Sequence, residues 1–241
     1  MLILGLDSST IVSGVAIFDS EKEVILAESF LNTGNTHSEK FLPLIKSTLE
    51  QANLSLKDIE GIAVTKGPGS FTGLRIGMVT AKSLVQVTGT KLMGIKTLDA
   101  LAYNLFGYSG IICPILNARK SEVYTALYQM QNNELKRISE YLALTPEKLV
   151  KLILENGSEV MFLGDGVPEY RAYLEQAIPS LARFASSNNL LTRSSSVAIL
   201  GAKGFSENKE DSFFTLEPFY LRKSEAEITL EAKQCAMKKT K

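Results

Sequence analysis

The sequence predicts an α/β protein built on mixed sheets, and three observations carry the prediction. Three short apolar strands, LILGL, SGVAIF and EVILAESF, crowd into the first thirty residues with only tight connections between them. Helical and strand patterns then alternate. Strand signals begin again at about residue 110. An order of three strands, helix, strand, helix, strand, helix points to a sheet with an antiparallel flank and helices packed over it.

Taken in order, the connections DSSTIV and DSEK are too short for crossovers, so the first three strands are antiparallel neighbours. THSEKFLPLIKSTLEQA comes next. Thr36 and Glu39 have capping-box spacing, and Phe41, Leu44, Ile45 and Leu49 recur at helical period, which predicts a helix over 37–52. Pro43 lies too deep for the first turn, so it kinks that helix or marks a later start. GIAVTKG reads as a buried strand, GPGS as a turn, and TGLRIGMVTAKSLVQVTG as a helix ending at Gly89. KLMGI and TLDALAYNLFG supply one more strand and helix. GIICPILNARKSEVYTALYQM reads as a long hairpin turning at NARKS. TPEKLVKLILENG has Thr145 as N-cap, Pro146 at the first helical position and Gly157 as stop. VMFLGDG is a buried strand, SSVAILGAKGF a small-residue helix and SENKEDS a charged loop. The boundary between halves falls in GYSG, giving a first lobe over 1–108, a second over 109–223 and a frayed basic tail over 224–241.

Composition excludes several function classes. The 241 residues are 45% hydrophobic with mean hydropathy +0.07, enough for one large core or two smaller ones. Lys plus Arg equals Asp plus Glu at 26 each, so no global field draws the chain to nucleic acid or membrane. The acid at position 7 interrupts any leader, and no run approaches a membrane span; a cytoplasmic protein is expected. Cys113 and Cys235 are too few for a disulfide framework. There is one histidine, His37, so paired-histidine metal sites cannot be built. No metal or cofactor is expected.

Two constellations carry chemistry. In the turn formed by Asp7, Ser8, Ser9 and Thr10, a carboxylate and small hydroxyls can orient magnesium or face phosphate oxygens, and the same residue types close a hairpin through Asx- and ST-turns. GPGSFTGLRIG fits neither nucleotide fingerprint, lacking both the Lys-Ser/Thr ending and the G-x-G-x-x-G spacing. The helix it opens is more informative. Gly73, Gly77 and Ala81 fall four apart, a helix stripe nearly free of side chain, flanked by Leu74, Met78 and Val85. Glycine in a helix costs about 1 kcal/mol against alanine, so close approach of other backbone must compensate, from the chain's own sheet or from a partner's helix. His37 is read as a local structural or interface group. Arg119, Lys120 and Glu122 in NARKSEVY bind an anion or form a solvated hairpin tip.

LILGLDSST, HSEKFLP, GPGSFTGLRIG, NARKSEVY and EPFYLR, in that order, closely resemble the bacterial TsaB family, formerly YeaZ, up to about residue 223. GPGSFTGLRIG is the specific signal; the others persuade in sequence. The resemblance implies the actin-like ATPase fold in two lobes, each a mixed sheet flanked by helices. It also implies a non-catalytic subunit of the machinery that makes threonylcarbamoyladenosine at position 37 of ANN-decoding tRNAs. Such a subunit binds and activates TsaD, which carries the metal partly through an HxxxH pair, together with the ATPase TsaE. It pairs with itself when TsaD is absent and meets tRNA only through the complex. Carried over, the partner or dimer surface takes His37, Phe41, Leu44 and Ile45 from the first helix and Gly73, Leu74, Arg75, Gly77, Met78 and Ala81 from the second. A weak nucleotide or phosphate contact falls to Asp7, Ser8, Ser9 and Thr10. Many relatives have Asp where this chain has Asn117, which weakens a nucleotide site. The rival reading is a phosphohydrolase or kinase-like enzyme of the same fold, working through Asp7.

Overall fold

The computed structural model describes residues 1–32, 37–118 and 120–222, with residues 37 and 38 described in backbone only. The predicted Thr36 cap, Arg119, Cys235 and the tail lie outside the described residues. The first sheet has the order β3-β2-β1-β4-β5. Strands β1 (Leu2–Asp7), β2 (Ser13–Asp19) and β3 (Val24–Leu31) are antiparallel, while β4 (Gly61–Gly67) and β5 (Lys91–Lys96) run parallel to β1. Parallel pairing demands crossovers, and helices α1 (His37–Gln51) and α2 (Phe71–Thr88) supply them on one face. Helix α1 continues through Pro43.

Alternation along β1 fixes what each face holds. Leu4 and Leu6 join Phe41, Leu44, Ile45, Met78 and Val85 under α1 and α2. Ile3 points the other way, into a core with Ala63, Val197, Ala198 and Phe205. Those last three belong to helix α6 (Ser194–Ser206). The sequence reading counts this helix with the second lobe, yet it packs on β1, β2, β4 and β5 of the first sheet. The reason is its small-residue face: a Cβ on Gly201 would stand 2.4 Å from Cβ of Ala63. Beyond α6 the chain stays on this sheet, where the Asp211 carboxylate accepts from the Gly94 amide at 2.8 Å and Leu216 is buried.

Helix α3 (Thr97–Tyr103) leads to the second, seven-stranded sheet, ordered β10-β7-β6-β11-β12 with β8 bridging β6 and β9. Its strands are β6 (Ile111–Ala118), β7 (Glu122–Thr125), β8 (Tyr128–Gln131), β9 (Glu134–Arg137), β10 (Leu142–Leu144), β11 (Val160–Leu163) and β12 (Ala182–Phe184). Helices α4 (Pro146–Asn156) and α5 (Val167–Ala177) cover its core, which centres on Ile115, Leu149, Ile153, Phe162 and Leu174. The turn at NARKS is where predicted, with Lys120 and Ser121 at positive φ. The predicted second arm is broken at residues 126 and 127, so β8 leaves β7 and pairs back to β6 and on to β9. Cys113 is fully buried, and burial pushes its thiol up to about 12. Two mixed sheets with helices over them make up the α/β architecture that the sequence predicts.

Candidate functional site

The Asp7 turn is tied together by hydrogen bonds within the chain. Asp7 Oδ1 accepts from the Ser9 amide at 2.9 Å, the Ser9 hydroxyl at 2.6 Å and the Thr65 hydroxyl at 2.7 Å. The Ser8 hydroxyl donates to the Gly73 carbonyl at 2.8 Å, and the Ser70 amide donates to the Ser9 carbonyl at 2.6 Å. Thr10 Oγ1 accepts from the Val12 amide at 3.3 Å. All four residues from Asp7 to Thr10 are buried. This corrects the phosphate contact expected of them. A hydroxyl has one proton to donate, and those of Ser8 and Ser9 are spent inside the chain.

The glycine stretch is what allows that closure. A Cβ on Gly73 would stand 2.0 Å from the Ser8 carbonyl oxygen, one on Gly77 2.3 Å from Ser8 Oγ, and one on Gly69 2.2 Å from the Ser9 carbonyl oxygen. Gly67 has φ 111°, a left-handed value that favours glycine, at the entry to the turn. Helix α2 then begins at the Ser70 cap, whose Oγ accepts from the Gly73 amide at 3.2 Å. It ends at the left-handed Gly89, as predicted.

The partner surface therefore needs correction. Phe41, Leu44, Ile45, Leu74, Met78 and Ala81 are buried, packed between the helices and the first sheet. Gly73 and Gly77 clear space for Ser8 of the same chain and are buried too. The physical reason lies in the core's geometry: the apolar and small positions share the inward faces of α1 and α2. Arg75 alone of the assigned residues with described side chains is exposed. The side chain of His37 is outside the described residues.

The outward faces of α1 and α2 carry a different set. Leu42 is 56% exposed, Val79 63% and Val87 83%, three large apolar side chains on adjacent helices with no core to serve. At the start of α2 the Arg75 guanidinium lies 3.8 Å over the Phe71 ring, and Phe71 stacks at 5.0 Å on Tyr220. Arg75 Nε also donates to the Tyr220 hydroxyl at 3.2 Å. The sequence reading missed Leu42, Phe71, Val79, Val87 and Tyr220. The signal was present in the spacing of Phe71, Arg75 and Val79, four apart on the face opposite the glycines.

Across from Asp7, β6 contributes Asn117, the connection after β11 contributes Asp165, and α5 contributes Glu169. The Asn117 amide donates to Asp165 Oδ1 at 2.8 Å, and its side-chain amide donates to Glu169. Burial pushes the Asp165 carboxyl up, the Asn117 amide opposes this, and the charges of Asp7 and Glu169 raise it further. Asn117 thus bridges two acids of its own lobe. Among the described residues no group of three His, Cys, Asp or Glu side chains is placed to hold a metal ion, and no helix is long and apolar enough to cross a membrane.

The family model described as "TsaD: tRNA N6-adenosine threonylcarbamoyltransferase" matches residues 25–230. The chain is 30% identical to "tRNA threonylcarbamoyladenosine biosynthesis protein TsaB" of Bacillus subtilis, covering 94% of this chain and 96% of that one. It is 28% identical to the protein of the same name from Escherichia coli, covering 97% and 100%. Among solved structures, "YeaZ from Pseudomonas aeruginosa" superposes with a TM-score of 0.76 at 22% identity, covering 91% of this chain and 99% of that one, a likeness of fold.

Proposed function

Because the chain belongs to the TsaB family of tRNA threonylcarbamoyladenosine biosynthesis proteins, we propose that it is a non-catalytic subunit of the complex that modifies adenosine 37 of ANN-decoding tRNAs. It binds and activates the catalytic subunit TsaD together with TsaE, in the cytoplasm. Without TsaD the same surface pairs with a second copy, and tRNA is reached only through the complex. One observation carries the reading: the outward faces of α1 and α2 expose Leu42, Val79 and Val87, although the inward faces already satisfy the core. Large apolar side chains left exposed on a packed helix pair support a protein contact. The Phe71, Arg75 and Tyr220 stack beside them has the residue types that dominate binding hot spots. A single histidine supports a subunit without the HxxxH metal pair.

The test is calorimetric titration of the protein with TsaD from the same organism, using Val79→Arg. Affinity should fall at least about 30-fold, as for a hot-spot loss of roughly 2 kcal/mol, with the thermal midpoint unchanged. Unaltered affinity would remove α2 from the contact. Turnover of ATP by the purified chain alone, abolished in Asp7→Ala, would overturn the non-catalytic reading.

A further inference from the structure

Helix α3, helix α6 and the β8–β9 hairpin line a cleft of about 380 Å³, to which neither the Asp7 turn nor the exposed faces of α1 and α2 contribute. Tyr103, Phe106, Leu135 and Leu200 give it apolar walls. Asp99 and Arg137 bring opposite charges to it, and they do not pair with each other. Asp99 accepts from the hydroxyls of Tyr128 at 2.6 Å and Tyr141 at 2.8 Å, and among the described residues no cation forms an ion pair with it. Lys96, whose charge reaches Asp99, sits 2.9 Å from the centre of the Phe219 ring instead. Arg137 lies 4.2 Å over the Tyr141 ring and donates to the Ser139 carbonyl. Among the described residues it pairs only with Glu140, at 3.8 Å, a side chain 87% exposed. So exposed a pair is worth little. The other charges of the lining are already matched, Lys203 with Glu134 at 2.9 Å.

We propose that this cleft is a binding site for a free α-amino acid with an apolar side chain, its ammonium donating to Asp99, its carboxylate accepting from Arg137 and its side chain lying among Tyr103, Phe106, Leu135 and Leu200. The volume is near the small end of ligand sites, which suits a molecule of that size. A carboxylate offers about four acceptor positions, so Asp99 keeps room for an ammonium beside the two tyrosine hydroxyls that orient it. A guanidinium with donors to spare matches a carboxylate fork to fork. Tyr141 sets the spacing: Asp99 is at its hydroxyl and Arg137 over its face, so the opposite charges are held apart by one ring and a ligand carrying both ends can bridge them. A plain amine or a plain carboxylate satisfies one charge and takes water from the other without replacing it. The apolar walls then favour a ligand that also carries a hydrocarbon side chain. The cleft stands apart from the partner surface, so this ligand is independent of the complex.

Calorimetric titration of the full-length protein with L-leucine and L-phenylalanine, each beside its N-acetyl form and its amide, tests this. At least one of the two amino acids should bind with a millimolar or tighter Kd. It should bind at least about tenfold tighter than either blocked form, because each block removes a charged hydrogen bond without touching the protein. Arg137→Gln should weaken the amino acid about tenfold and leave its amide, which has no carboxylate, as it was. No heat of binding from either amino acid at millimolar concentration, or blocked forms that bind as tightly as the parent, would overturn the proposal. So would an Arg137→Gln protein that keeps full affinity or that loses amino acid and amide alike.

Discussion

Gly73, Gly77 and Ala81 on one side of α2, and Phe71, Arg75 and Val79 on the other, recur at the same four-residue spacing but meet opposite demands. The inward set is held by distance: Ser8 leaves no room for a Cβ at Gly73 or Gly77. The outward set has room to spare, with Val79 63% exposed. One helix therefore separates two duties. Change on the inner side is a change in stability, and change on the outer side is a change in what the protein can hold. A bulky residue at Gly77 consequently reports on folding and is a poor probe of partner binding.

That contrast can be broken by measurement, beginning with the largest effect. Phe41→Ala removes a fully buried ring under α1 and should cost about 3–5 kcal/mol in denaturant unfolding. A loss below about 1 kcal/mol would mean that α1 is not seated as described. Gly73→Val pushes a branched side chain at the Ser8 carbonyl and should cost about 1–3 kcal/mol; an unchanged midpoint would refute the close approach. Val79→Arg should stay within about 0.5 kcal/mol of the parent stability, so that any loss of TsaD binding is separable from unfolding. Asp165→Asn gives the smallest effect and sharpens the comparison at the carboxyl that accepts from the Asn117 amide. The folded carboxyl is raised above its ordinary 3.8, so between those values the unfolded chain binds fewer protons and stability falls as pH rises. Asparagine has no such penalty. Its stability advantage should appear only above about pH 4 and grow with pH, and an advantage already present at pH 3 would contradict the cause given.

Much of the first lobe was legible. Strands β1 to β5 and helices α1 and α2 stand where apolar period and punctuation put them, α3 starts as predicted but stops at Tyr103, short of the NLFG predicted with it, and α4 has both of its predicted ends, with Gly157 left-handed. What period cannot supply is a partner in space. The stripe Gly73, Gly77 and Ala81 announced a close approach, but Ser8, which makes it, is 65 residues from Gly73. The same limit hid the destination of α6, whose small residues meet Ala63. Strands β9, β10 and β12 went unread because three or four residues are too few to show alternation, and α5 opens with the turn-like run GDGVPE. The sequence reading passes over Lys96, whose neighbours Tyr141 and Phe219 are distant in sequence.

The return of α6 and residues 211–219 to the first sheet bears on how the protein is made. During vectorial synthesis, β1 to β5 leave the ribosome long before the helix that covers their second face. The second sheet is synthesised in between and can complete its own core first. Until Val197, Ala198 and Phe205 arrive, Ile3 and Ala63 stand bare to water or to whatever chaperone attends the nascent chain. The lobe that begins the chain is thus the last to be finished.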